Sequence, residues 1–318
     1  MGGARHAVNR GGERPRVLHV LTGCTAVGKT EWALQWAEAN SAEIISCDSL
    51  LFYRGMDIGT AKPTRAERDR VRHHLIDIRE VSEPMNAAVY APMARAAAEE
   101  VLSRGHSVLA VGGSGFYLRS FFAPVADGLD VPQEVRATVA GLLESHGLPA
   151  LVAELARLNP GGPLGIDTAN PRRVASALGR CMASGRTLAE LAGEFARAVP
   201  AFAGWQVRLA RLERSGADLE ARISGRVDSM LALGLVDEVR RLLGAGLRSN
   251  PSATRAIGYR ETIDVIEGRA PVAGLAGAIA KDTRSLVKKQ RTWFRTQLPP
   301  HAVHDASLLR DPAALFLG

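Results

Sequence analysis

Hydrophobic positions along this chain come in short blocks whose period changes, and the changes predict its elements. Val17–Thr22 is a brief apolar run leading straight into glycine, the pattern of a buried strand. Thr30–Ala39 alternates on a helical period, and Ala42–Cys47 predicts a second strand that ends at Asp48. Met93–Arg104 predicts another helix, and Ser107–Val111 a strand running into Gly112, Gly113 and Gly115. Strand, loop, helix, strand in this order implies an α/β parallel sheet with ligands at the carboxyl ends of its strands.

From about Asp127 the period becomes helical, with segments Gln133–Glu144 and Leu148–Leu158 and turn residues over Asn159–Gly162. A helical insertion domain over 127–199 is expected. Gln206–Leu212 alternates again and returns to the sheet, and Asp218–Leu243 and Val272–Arg295 read as helices. The core is then assembled from 17–126 and 200–318. Residues 1–16, rich in Gly and Arg without periodicity, predict a disordered basic tail.

The 318 residues, 46% of them hydrophobic, suffice for a sizeable core and two structural units. No apolar run approaches the roughly 18 residues of a membrane span, and the N-terminus has no apolar signal-peptide stretch, so a cytoplasmic protein is expected. Cys24, Cys47 and Cys181 form no C-x-x-C pair, and buried apolar roles suit them better than a metal or a disulfide. His73 and His74 lack partners at ligand spacing and predict a packed turn. The net charge of +7 is local. Residues 1–16 carry +3 and residues 255–295 carry +5, leaving −1 for the rest. A basic C-terminal stretch on a balanced body points to a polyanionic partner there, with a merely solvated surface as the competing reading.

Gly23, Cys24, Thr25, Ala26, Val27, Gly28, Lys29 and Thr30 match the pattern G-x-x-x-x-G-K-S/T in full, between a strand and a helix. Such a loop curls its amides around a diphosphate, with Lys29 neutralising charge and Thr30 able to hold Mg²⁺. Asp48 ends the next strand, where a carboxylate can serve Mg²⁺, activate a nucleophile or simply cap the following element. Ser107–Val111 ends in glycines instead of the acid of a motor ATPase.

The loop at Gly23–Thr30, the run from Asp48-Ser49 through Asp57-Ile58-Gly59-Thr60-Ala61-Lys62-Pro63, His73–Asp77, and Gly112–Tyr117 together resemble the tRNA dimethylallyltransferases. Arg222–Gly234, Gly258-Tyr259-Arg260 and Lys289–Arg295 continue the likeness, which covers roughly residues 17–295. The resemblance implies a P-loop NTPase-like parallel sheet flanked by helices. It also implies transfer of a dimethylallyl group from dimethylallyl diphosphate to the N6 amine of the adenine just 3′ of the anticodon, releasing pyrophosphate. Asp48 then matches the general base, Arg226 an arginine on the diphosphate, and Ser114 stands where the family usually has threonine. Thr30 and Asp48 would serve Mg²⁺.

The resemblance places Asp48, Ser49, Leu50, Leu51 and Ser114 against tRNA, together with Arg136, Arg172, Arg173 and Ser176. It adds Arg255, Gly258, Tyr259 and Arg260, and from the last helix Lys288, Lys289, Gln290, Arg291, Trp293 and Arg295. The partner is the anticodon stem-loop, and a monomer is expected. Departures such as Ser176-Ala177-Leu178-Gly179, where many members have R-A-L-E, and Ser285 in place of a frequent glutamine, bear on tRNA binding more than on the chemistry.

The residues themselves agree with those roles. An aromatic amine is a weak nucleophile and needs a base, and a departing pyrophosphate needs preorganised positive charge. Arg284, Lys288, Arg291 and Arg295 recur at spacings of four, three and four, so one helix face carries four cations. Ala280, Thr283, Val287 and Phe294 form the adjacent docking face. Phe52, Tyr53, Phe116 and Tyr117 are candidates to stack on an extruded adenine, against the commoner role of core aromatics. A small-molecule P-loop kinase, a prenyltransferase of free adenine nucleotides and a non-catalytic RNA-binding protein remain alternatives. No D-D-x-x-D run is present to suggest a prenyl synthase.

Overall fold

The computed structural model describes residues 15–125 and 129–317. Of the tail expected over 1–16, residues 1–14 lie outside the described residues, while Arg16 O accepts from Gln206 N at 2.9 Å at the start of the sheet. The chain forms two compact units, one built from the segments up to Ala123 and from Ala201 onward, the other from Pro124–Pro200.

The first unit holds strands β1 (Val17–Gly23), β2 (Ala42–Ser46), β3 (His73–His74), β4 (Ser107–Val111), β5 (Gln206–Glu213) and β6 (Ala302–Asp305). They pair in parallel in the order β3-β2-β4-β1-β5-β6. Its helices are α1 (Lys29–Ala39), α2 (Arg65–Arg70), α3 (Ala87–Ser103) and α4 (Gly115–Arg119) before the second unit. That unit contributes α5 (Gln133–Leu158), α6 (Pro171–Ser184) and α7 (Leu188–Arg197). The first unit resumes with α8 (Gly216–Ala232), α9 (Leu235–Gly244), α10 (Pro251–Thr254), α11 (Tyr259–Ile266) and α12 (Leu275–Gln297).

The central strands read as continuous apolar runs because helices cover both faces. Leu18, Val20, Leu21, Val108, Leu109 and Ala110 are wholly buried. Each large aliphatic side chain so buried contributes about 1.5–3 kcal/mol before entropy is counted. On one flank Phe52, Tyr90, Tyr117 and Phe121 form a chain of ring contacts with centroids 5.0–6.2 Å apart. The Tyr90 hydroxyl donates to Ser46 O at 3.0 Å, so the last residue of β2 is held from below. Running parallel and side by side, β2, β4 and β1 deliver Asp48, Gly112 and Gly23 to the same carboxyl edge.

Several expected boundaries shift for local reasons. The helix expected over Asp218–Leu243 divides at Gly234, whose φ of 94° stops α8 and starts α9. Gly147, with φ 73°, marks a break inside α5. The helix expected over Met93–Arg104 begins earlier, where the Asn86 side chain accepts from Ala88 N and Val89 N. His73 and His74 form a short strand instead of a turn, and His74 Nε2 lies 2.6 Å from the buried Glu43 carboxylate. Desolvation works against the charged form of Glu43, but bonds from Arg104 and His74 outweigh it and hold its pKa down at about 2.

Candidate active site

The turn after β1 is shaped by backbone constraints as much as by its ligand. At Gly23, with φ 152°, a Cβ would stand 2.6 Å from Leu212 O, and Gly28, with φ 95°, opens α1 in a left-handed conformation. Lys29 Nζ donates to Gly23 O at 2.9 Å and to Cys24 O at 2.8 Å, so its ammonium is folded against its own loop. Burial lowers its pKa, nearby Asp48 works the other way, Arg226 adds to the lowering, and the result is about 8.

A bound diphosphate favours the ammonium and raises that pKa. The affinity of the loop for a diphosphate ester is therefore expected to be flat below pH 8 and to fall up to about tenfold per pH unit above it. Calorimetry at pH 9 in two buffers should detect proton uptake on binding, and an affinity unchanged to pH 9.5 would contradict this role.

The outer side of the loop is held by residues distant in sequence. Arg222 Nε donates to Ala26 O at 2.9 Å, and Arg214 Nε donates to Val27 O at 2.8 Å while its Nη1 pairs with Asp218 at 2.6 Å. Gln290 Oε1 accepts from Thr25 N at 3.0 Å, and its Nε2 donates to Gly113 O at 3.0 Å.

Asp48 follows β2, half-buried, with Oδ1 accepting from Leu50 N at 3.0 Å. Across from it, Ser114 Oγ accepts from Ser49 N at 3.1 Å and contacts Ser49 Oγ at 3.3 Å. The glycines after β4 are required by crowding. A Cβ on Gly112 would lie 1.9 Å from Cys47 O, and one on Gly113 2.9 Å from both Gly23 O and Gln290 Nε2. No acidic side chain fits there, which accounts physically for glycine at the end of β4.

A third arm comes from Asp57–Thr60. Glu238, almost wholly buried, accepts from Asp57 N (3.1 Å), Ile58 N (2.7 Å), Gly59 N (3.1 Å) and the Tyr259 hydroxyl (2.7 Å). A Cβ on Gly59 would stand 2.5 Å from the Tyr259 ring. Lys62, also buried, ties the segment down through Asp57 at 2.7 Å, Asp77 at 2.5 Å and Tyr53 O at 2.8 Å. The loop so held offers Thr60 O to Arg226 Nη2 at 3.1 Å. Burial lowers the pKa of Arg226 from its usual value, with Asp48 opposing.

Lys29, Thr30, Asp48, Ser114, Arg222 and Arg226 thus line one cleft of about 1270 Å³, together with Phe116, Arg255, Lys289 and Trp293. The model for "IPP transferase" matches residues 51–297, and a tRNA dimethylallyltransferase of Opitutus terrae is 62% identical over 304 residues, 96% of this chain and 97% of that one. The chain belongs to the IPP transferase family. A second relative, the tRNA dimethylallyltransferase of Deinococcus radiodurans, is 38% identical over 89% of this chain and 90% of its own. Among solved structures, the tRNA isopentenylpyrophosphate transferase of Bacillus halodurans superposes with a TM-score of 0.65 at 31% identity, covering 92% of this chain and 90% of that one. A eukaryotic dimethylallyltransferase shares the fold, with a TM-score of 0.77 at 23% identity over 91% of this chain and 74% of its own.

Within this member of the IPP transferase family, the residues expected to face RNA divide by unit and by exposure. Ser49, Leu50 and Leu51 line the cleft beside Asp48 and Ser114. Arg255, Lys288, Lys289, Arg291 and Arg295 are exposed and Trp293 is half-buried, whereas Gln290 is a correction, because it is half-buried with its carboxamide spent on Thr25 N and Gly113 O and so supports the phosphate loop instead of meeting RNA. Arg136, Arg172, Arg173 and Ser176 belong to the second unit, all exposed, with Arg172 and Arg173 in the first turn of α6. Tyr259 is a correction, because its ring is wholly buried and its hydroxyl is spent on Glu238, so it supports the cleft loop instead of meeting RNA. Gly258 is buried beside it. Arg260 is exposed but pairs with Glu261 and Asp282, and Arg284 pairs with Glu220 at 2.5 Å. Of the four stacking candidates, Phe52 and Tyr53 are fully buried and Tyr117 nearly so, whereas Phe116 is 69% exposed at the cleft. Arg214, Arg222 and Glu238 carry site geometry that sequence reasoning missed, since their partners lie some 180 residues or more away.

Proposed function

We propose that this protein is a tRNA dimethylallyltransferase whose cleft joins C1 of dimethylallyl diphosphate to the N6 amine of the adenine 3′ of the anticodon. The observation carrying this reading is the convergence of a phosphate-loop motif, a carboxylate and a recessed arginine on one cleft that the exposed Phe116, Arg255 and Lys289 also line. The amides of Gly23–Thr30 and the charges of Lys29 and Arg226 bind the diphosphate. As N6 attacks C1, the C1–O bond breaks and pyrophosphate leaves with its electrons, into charge already in place. Asp48 takes the amine proton as the C–N bond forms, and Ser114, anchored on Ser49, orients the amine.

Thr30 and Asp48 supply the hard oxygen donors that suit Mg²⁺, and the Thr30 hydroxyl has no partner among the described residues. The ion, when bound, supplies further charge compensation for the leaving group. Phe116 is the platform for the extruded adenine, because an exposed ring at the cleft loses little by accepting a base. We place the protein in the cytoplasm as a monomer. Among the described residues no helix is long and apolar enough to cross a membrane.

Incubation with unmodified tRNA and labelled dimethylallyl diphosphate tests the reading. One label at the adenine 3′ of the anticodon per pyrophosphate released is expected. Consumption of a nucleoside triphosphate without transfer would overturn it. The exposed cations of α12 give a second test. Arg291→Ala is expected to flatten the salt dependence of tRNA binding by about one unit of log–log slope, and an unchanged slope would assign that face to solubility.

A further inference from the structure

The last helix is fastened to the phosphate loop more directly than a helix that only displays charge to RNA would need. Gln290 spans the two halves of the diphosphate edge, with its carbonyl on Thr25 N and its amide on Gly113 O, both at 3.0 Å. Its seat is tight, since a Cβ on Gly113 would come within 2.9 Å of Nε2. Two more ties run in parallel. Cys24 Sγ contacts Val287 O at 3.8 Å, and Arg291 Nη2 donates to Arg214 O at 3.2 Å, Arg214 in turn holding Val27 O. Immediately around Gln290, Lys288, Lys289 and Arg291 are exposed. One stretch of helix therefore carries phosphate-seeking cations outward and a loop-shaping carboxamide inward.

We propose that Gln290 is a positioning residue that couples RNA binding on α12 to the diphosphate-binding shape of the loop at Gly23–Thr30. The inference rests on the tRNA reading above. RNA held by Lys288 and Lys289 fixes the helix, the fixed helix holds Thr25 and Gly113 through Gln290, and the loop is then kept in its diphosphate-binding shape. Linkage makes the effect mutual, so the donor must tighten RNA binding by the same factor.

The experiment measures the dissociation constant of inorganic pyrophosphate with and without a saturating anticodon stem-loop RNA. In the wild-type protein RNA is expected to tighten pyrophosphate binding about tenfold. Gln290→Met, of similar length but without the paired amide groups, is expected to bring the ratio to about one while RNA affinity alone stays within a few-fold. Gln290→Asn, one methylene too short for both partners, gives the same reading should the methionine variant not fold. A purely structural role would weaken pyrophosphate equally in both conditions and leave the ratio unchanged. That result, or a wild-type ratio of one, overturns the proposal. A protein that binds RNA and pyrophosphate with an unmoved ratio refutes only the role of Gln290, whereas one that binds neither refutes the functional reading itself.

Discussion

Asp48→Ala is expected to cut prenyl transfer about 10²- to 10⁴-fold while tRNA affinity stays within a few-fold, the range a positioned general base contributes. The reason lies in when the carboxylate is needed. An adenine amine shares its lone pair with the ring and acquires acidity only as the bond to C1 forms, so the base acts on the transition state and kcat falls with little change in KM. Asp48 has a second occupation, since Oδ1 accepts from Leu50 N at 3.0 Å and shapes the turn after β2. Asp48→Asn separates the two: it keeps a carbonyl oxygen for Leu50 N and cannot take a proton. It should melt with the wild type and be nearly as inactive as the alanine variant. An active asparagine variant, or equal loss of RNA binding in both, would reduce Asp48 to a structural cap.

The parts of the site differ in how readily the sequence shows them. The phosphate loop was legible because its requirements are contiguous: Gly23 and Gly28 allow the turn, Lys29 and Thr30 follow at once, and β1 and α1 flank it. The parallel sheet was legible for the same reason, in its long buried strands. Its edges were not, because β3 has two residues and β6 four, too few for a period to show. The α12 face was read correctly at Ala280, Thr283, Val287 and Phe294, all buried. Its cations could not be ranked, because the acid that occupies Arg284 is Glu220, on α8. Nor could spacing reveal that Gln290 reaches Thr25, 265 residues away. Such long-range polar contacts are decided by which elements the fold brings together.

Glu238→Ala is expected to destabilise the first unit by about 4 kcal/mol, lowering its melting temperature by roughly 8–15 °C. The carboxylate, itself buried, satisfies three consecutive backbone amides and the Tyr259 hydroxyl, and its bonds to Gly59 N and Tyr259 lie wholly inside the protein while those to Asp57 N and Ile58 N are partly buried. Each unpaired donor costs about 1–3 kcal/mol, and relaxation of the loop recovers part of the sum. Tyr259→Phe provides the scale, since it removes one of the four bonds and keeps the ring packed on Gly59, and a loss of only about 1 kcal/mol is expected. The same substitution at Glu238 should also raise the KM for the donor in the fraction that remains folded, because the Asp57–Thr60 loop it fixes presents Thr60 O to Arg226. Thermal melts with donor titrations on both variants decide the matter. A Glu238→Ala protein as stable as Tyr259→Phe would mean that the three amides find other acceptors, and that Arg226 is aimed by something other than this loop.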